Sequence, residues 1–228
     1  MGRNGAAGTG SGLLTRGRPM HSSAITLDRI LDAARNAFSR DGFDRARLDE
    51  IGKAAGVSKQ LVYHYFKTKD ELYGVVLDRI AVEVLEMLDG PQYEQMAPAA
   101  AIEALIDRIM QNFVERPYLV GITVDQSLHK GEHVSRRSQY LPSVRKFVET
   151  RIVPILERGL ASGEFRTSVD PYLFYWSVFT LATGVFFHDW SMSETSRIDL
   201  DEQARLDAWR KHVTALVLGG LGAGALPE

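Results

Sequence analysis

The chain has no cysteine. That excludes disulfides, thiol nucleophiles and cysteine-ligated zinc or iron–sulfur centres, and it fits a reducing compartment. No apolar run reaches the ~18 residues of a membrane-spanning helix. The first residues hold no apolar stretch of signal-peptide length. A soluble, cytoplasmic protein with no membrane partner is therefore expected. Catalytic signatures are missing as well: no GxSxG, no Gly-rich phosphate loop, no HExxH, no CxxC, and no carboxylate pair at recognisable acid–base spacing. An enzyme is not expected, and no cofactor is assigned. Strand-like alternation and internal repeats are also lacking. The 228 residues read as all-α, enough for one small and one medium domain.

Net charge is small, at −2, but it averages two unlike parts. Up to Lys69 there are 12 Lys/Arg against 6 Asp/Glu, a balance of +6; from Asp70 onward 15 stand against 23, a balance of −8. A positive front attracts a phosphate backbone, and a negative remainder is kept off it.

What is present is concentrated in residues 47–72, RLDEIGKAAGVSKQLVYHYFKTKDEL. Leu48, Ile51, Ala54 and Ala55 form an apolar stripe at helical spacing. Gly56 can take the left-handed conformation that ends a helix. Ser58 is a good N-cap for the next one, with Val57 and Val62 spaced for a hydrophobic staple. On a helical wheel over 59–67, Val62, Tyr65 and Phe66 fall on one side. Gln60, Tyr63, His64 and Lys67 fall on the other, with Lys59 and Leu61 at the flanks. Thr68-Lys69-Asp70-Glu71 then reads as a capping box leading into Leu72, Val76 and Ile80. Helix, turn and helix followed by a capped third helix can present a short rod to the DNA major groove. The same grammar also suits three short helices of an ordinary all-α domain.

The stretch resembles the TetR (tetracycline-repressor-type) family of bacterial transcriptional regulators. The matching residues begin at ILDAARNAFSRDGF, from Ile30, and continue in AAGVSKQLVYHYFKTKDEL, ending at Leu72. The resemblance implies a three-helix head on a helical-bundle body of about nine helices in all. It also implies a homodimer that binds a palindromic operator in double-stranded DNA as a repressor, and that releases it when a small apolar or aromatic effector fills the body. It places Tyr65 and Lys69 on phosphates. Two departures stand out. Arg47 occupies a cap position where Thr or Ser is usual, a loss of ~1 kcal/mol that Asp49 and Glu50 partly offset through the helix dipole; Arg47 can instead reach a phosphate. Gln60 and Leu61 replace small or hydroxylated residues. The expected DNA contacts are Arg47, Ser58, Lys59, Gln60, Leu61, Tyr63, His64, Tyr65, Lys67 and Lys69.

The expected organisation is a tail over residues 1–24, a helix-turn-helix domain over 25–70, and a ligand-binding and dimerisation domain over 71–228. The tail is Gly- and Ser-rich, a composition that favours disorder; Arg16 and Arg18 make it either a minor-groove arm or a passive extension. Helix 1 is expected from Thr26 to Arg40 with Gly42 as its stop. Further helices are expected at 69–88, 98–115, after Pro117, at 141–162 interrupted by Pro154, at 170–190 and at 201–220. Asp170-Pro171 is a clean helix start.

The segment 170–190 is apolar on nearly every side and so needs burial on several faces. With 201–220 it is expected to build a two-fold interface through Phe179, Val185, Phe186, Trp209, Val213 and Leu216; packing of these side chains into the protomer's own core is the other reading. Candidates for an effector pocket are Phe113, Tyr118, His129, Tyr140, Phe147, Phe174, Trp176 and Phe179. Asp125, His129 and His133, spaced i, i+4, i+8 beside Glu132, would share one helix face and suit a metal. Gly131 interrupts that face, so the reading taken is a surface pair or pocket hydrogen-bonding site, with no metal assigned. The rival functions are an effector-independent nucleoid or division-related factor on the same fold, and a helical scaffold that uses the head for protein contacts.

Overall fold

The computed structural model describes residues 20–90, 92–133, 138–195 and 202–222, and they form an all-α fold. The helices are α1 (Met20–Arg45), α2 (Leu48–Ala55), α3 (Lys59–Tyr65), α4 (Lys69–Leu88), α5 (Pro98–Glu115), α6 (Tyr118–Leu128), α7 (Tyr140–Phe147), α8 (Val153–Ser162), α9 (Pro171–Thr195) and α10 (Glu202–Gly220). A π-helical turn over Val148–Ile152 joins α7 to α8 without a break, so the two form a single rod. Among the described residues the count is therefore nine rods, with one short 3-10 turn at Tyr93–Gln95.

Most boundaries follow from local chemistry. Gly42 (φ 75°) kinks α1 ahead of a last turn that runs on to Arg45, and Gly56 (φ 67°) and Gly163 (φ 76°) take positive φ where α2 and α8 stop; a side chain there would be strained. Ser58 caps α3 by accepting from the Leu61 amide, and Thr68 caps α4 by accepting from the Glu71 amide. The return arm of the box lands one residue early: Glu71 accepts from the Lys67 amide at 2.7 Å. Asp170 Oδ1 accepts from the amides of Tyr172 and Leu173, as an N-cap should. Arg47 makes no side-chain cap bond; it pairs with Asp49 and Glu50 instead.

Two expectations are corrected. Helix α1 starts at Met20, six residues before Thr26, so residues 20–24 are helix and not tail. The break in the 141–162 helix lies ahead of Pro154, in the π turn. Proline lacks an amide proton and its ring crowds the preceding turn, and a wider turn relieves both.

The apolar residues condense into two clusters. One joins α1–α4 (Ile30, Phe38, Ile51, Val62, Leu72 and Val76 among them) and continues into the body through Phe113, Leu119 and Ile122. The other lies among α5 and α7–α10, around Ile102, Leu105, Val148, Ile152, Val178 and Val213. Head and body meet where α1 crosses α6. The crossing is tight because Gly121 faces the Ser39 backbone: a Cβ at Gly121 would overlap the Ser39 carbonyl and press on its hydroxyl. Ser39 Oγ in turn donates to the Tyr118 carbonyl at 2.9 Å.

One turn further along α6, the Asp125 carboxylate is 5% exposed. It accepts from the Phe43 amide at 2.8 Å and from the Tyr73 hydroxyl at 2.5 Å. Burial, reinforced by the carboxylate, raises the Tyr73 phenol pKa far above its ordinary value, so the hydroxyl remains a donor. Substituting Gly121→Ala is expected to lower stability by about 1–3 kcal/mol through overpacking at this crossing, read as a shift in the urea midpoint at constant slope. An unchanged midpoint would show that α1 and α6 have room to separate.

Candidate nucleic-acid interface and effector cavity

Helix α3 is positioned by its apolar side. Val62 and Phe66 are buried against the head core. The approach of α2 and α3 depends on Gly52, which lacks the side chain that would crowd the Val57 carbonyl at 3.2 Å and Val62 Cγ2 at 3.3 Å. The opposite side carries Lys59, Gln60, Tyr63 and His64, all exposed, with Ser58 and Lys67 exposed at the two ends. Leu61 and Tyr65 are half-buried at its edges. Lys59 Nζ stands 5.8 Å from the Tyr63 ring, a loose cation–π pair. The face is polar, aromatic and basic, with none of these groups enclosed by the protomer.

Three candidates have local partners that the sequence did not announce. The Tyr65 hydroxyl lies 2.9 Å from Ser23 Oγ, so the first turns of α1 brace the end of α3. Arg47 projects from the start of α2 with its ion pairs to Asp49 and Glu50. Lys69 is the most enclosed of the three: its ammonium donates to the carbonyls of Phe43 (2.7 Å), Asp44 (3.1 Å) and Ala46 (3.3 Å) and sits 4.4 Å over the Phe43 ring. All three of its protons are engaged within the head, where they neutralise carbonyls at the end of α1. Arg16 and Arg18 lie outside the described residues.

In the body, a cavity of about 70 Å³ lies between α4, α5, α6, α7 and α9. Of the eight residues singled out in the sequence for a pocket, Phe113, Tyr140, Trp176 and Phe179 line it. The other four candidates do not. Phe147 and Phe174 are buried in the body core. Tyr118 faces outward from the cavity, donating to Glu83 at 3.0 Å beneath the Arg35 guanidinium. His129 lies beyond the end of α6, beside Asp125 and Asp44.

The wall also includes Tyr175, Val144, Ala81 and Leu85, and from α6 Leu119, Ile122, Thr123 and Gln126. Those four α6 residues are spaced i, i+3, i+4, i+7, a stripe readable in the sequence. Thr123 and Gln126 give the otherwise apolar wall polar groups. Burial lifts the phenol pKa values of Tyr140 and Tyr175, so both remain neutral donors near neutral pH.

The expected two-fold contacts are redistributed. Val185 and Val213 are buried in the protomer's own core, Phe186 stacks on Phe113 at 5.3 Å, and Trp209 donates its indole N–H to the Leu181 carbonyl at 3.0 Å. These four serve the body core, and Phe179 serves the cavity wall. Leu216 alone of the six points outward, 51% exposed. It shares a face of α10 with the exposed Ala208, His212, Ala215 and Gly219, and Leu173, Ser177 and Thr180 are exposed on α9.

The histidine run bends as Gly131 suggested: Lys130 (φ 50°) and Gly131 (φ 73°) end the helix at once. Asp125 turns inward. His133 folds back to stack on Phe43 at 3.6 Å, 4.9 Å from the His129 ring. The contact with the Asp125 carbonyl, and then that with Asp44, raise the His129 pKa above its ordinary value.

Among the described residues no helix is long and apolar enough to cross a membrane. The family described as "Bacterial regulatory proteins, tetR family" matches residues 30–76, and "Tetracyclin repressor-like, C-terminal domain" matches residues 98–217. The HTH-type transcriptional repressor NicS of Pseudomonas putida is 30% identical over 197 residues, covering 86% of this chain and 92% of that protein. Among solved structures, the transcriptional regulator SCO4942 of Streptomyces coelicolor superposes with a TM-score of 0.66 at 22% identity, covering 84% of this chain and 97% of that one. The regulator FadR of Bacillus subtilis, solved with stearoyl-CoA, gives 0.65 at 20% identity, covering 85% and 98%; at such identities the likeness concerns the fold. With both its head and its body matched, the chain belongs to the TetR family of transcriptional regulators.

Proposed function

We propose that the protein is a repressor that binds a palindromic operator as a homodimer and leaves it when a small apolar or aromatic molecule enters the body. The observation that carries the reading is the division of α3. Val62 and Phe66 are buried, while Lys59, Gln60, Tyr63 and His64 are exposed together. These four, with Leu61 at the edge, are assigned to the groove. Ser58, Arg47, Lys67 and Tyr65 are assigned to the backbone that flanks it; Lys69 is assigned to the head itself.

A seven-residue helix reads only a few base pairs, so specificity needs a second copy one helical turn away, ~34–36 Å along the duplex. The pairing surface is assigned to the outward faces of α9 and α10. Small residues there, with Leu216 between them, allow two such pairs to pack closely across a two-fold axis.

Release is assigned to α6. Its Leu119, Ile122, Thr123 and Gln126 line the cavity, and its Asp125 holds the end of α1 and the first turns of α4. A molecule that displaces α6 therefore moves the head through a buried hydrogen-bonded contact. The cavity is much smaller than the ~300–1,000 Å³ of ordinary ligand sites, so the effector-bound state is the wider one. Trp176, half exposed at its edge, is the side chain best placed to swing. The same small volume is the observation that favours the alternative, an effector-independent DNA-binding factor.

Replacing both Tyr63 and His64 by Ala is expected to leave folding and self-association intact and to weaken operator binding by a few kcal/mol. Fluorescence anisotropy with a fragment selected from a random DNA pool measures this; equal affinity for both forms would remove α3 from the interface. Substituting Ala81→Leu is expected to fill the cavity, abolish thermal stabilisation by small aromatic compounds and preserve operator binding. Compounds that stabilise both forms equally would place the effector elsewhere.

A further inference from the structure

We infer that Asp44, His129 and His133 form a binding site for a borderline transition-metal cation, zinc being the best fit, that ties the end of α1 to the end of α6. One ligand atom from each residue lies within 4.8 Å of the others. The Asp44 Oδ2 to His129 Nε2 distance is 3.3 Å. Ligands held ~2.0–2.1 Å from a tetrahedral zinc stand ~3.3–3.4 Å apart, so this edge already has the spacing of a filled site. Two imidazoles and one carboxylate suit zinc, copper or nickel rather than magnesium or calcium.

The tautomers support the assignment. His129 Nδ1 lies 2.9 Å from the Asp125 carbonyl, which can only accept, so Nδ1 carries the proton. Nε2 then faces a carboxylate oxygen, a pair that is held together by a second proton on the ring or by a metal cation that takes its place. His133 Nδ1 lies 2.9 Å from the Asp70 carboxylate, which likewise fixes its proton there and leaves Nε2 basic. Metal-binding histidines commonly have their other nitrogen anchored to a carbonyl or a carboxylate in this way.

The site is also held in shape. The His133 ring stacks on Phe43, whose amide is fixed by Asp125. Asp70 and Asp125 stand behind the imidazoles and offset both the cation and the nearby Lys69 ammonium. Asp44 is exposed, so a fourth position remains open to water.

The test uses the full-length chain and zinc itself, titrated against a chromophoric chelator, with magnesium as a control. One zinc per protomer is expected. Asp44→Asn, at an exposed side chain, should weaken binding at least 10-fold with no loss of fold, and Asp70→Asn by about 10–100-fold. His129→Ala combined with His133→Ala should remove the site, and zinc should raise the unfolding midpoint of the unaltered chain but not of this variant. Zinc binding that survives Asp44→Asn and the double histidine variant unchanged would place the cation elsewhere and overturn the assignment. Absence of zinc binding above the magnesium control would show that a proton alone bridges His129 and Asp44, and would overturn it equally. Neither result bears on whether α3 binds DNA.

Discussion

A buried carboxylate governs how the two parts of this molecule are joined. Asp125 has lost nearly all its water and replaced it with the Phe43 amide and the Tyr73 hydroxyl. A charge in that position is tolerated only while both donors stay in place, because an unpaired buried carboxylate costs several kcal/mol. The end of α1, the first turns of α4 and the last turn of α6 are therefore held as one unit, and α3, packed on the same core, inherits its orientation from it. The aromatic packing of Phe38, Phe43 and Tyr73 fills the remaining space. The junction is thus specified by direction-sensitive bonds as well as by apolar contact, as an arrangement that must be reproducible in angle requires.

The parts of the fold legible in the sequence are those decided within a few residues. The breaks at Gly42, Gly56 and Gly163, the caps at Ser58, Thr68 and Asp170, and the two-sided character of α3 all depend on neighbours along the chain. What was illegible depends on distant partners. Helix α9 is apolar around its whole circumference, so nothing in its pattern says that Val185 turns inward while Leu173 turns out. Lys69 looks like any basic residue beside a recognition helix until the carbonyls of Phe43, Asp44 and Ala46 are brought round it. The spacing of Asp125 and His129 is visible along the chain, but Asp44, 81 residues before Asp125, joins them only through the crossing of α1 and α6. The cavity is half legible: its aromatic side chains stand out in the sequence, while the α6 stripe is one helical spacing among several until the fold turns it inward.

The charge asymmetry acquires a finer meaning with the coordinates. Several basic residues of the head are already engaged. Arg35 lies on the Tyr118 ring, Arg47 pairs with Asp49 and Glu50, and Lys69 is enclosed by carbonyls. Exposed cations remain on α1 (Arg29, Arg40 and Arg45) as well as around α2 and α3 (Lys53, Lys59 and Lys67), so the positive field lies over the head as a whole. Acidic residues of the body lie behind it, which discourages the protein from meeting a duplex in any other orientation.

The absent side chain at Gly121 has a mechanical corollary. With the Ser39 backbone resting directly on the α6 backbone, there is no layer of side chains to shear, and so no play along the direction in which the two rods cross. Sliding is blocked at this point, and the Asp125 bonds one turn away hold the angle there, so the glycine sets how deeply the two rods meet and the carboxylate sets how they are turned.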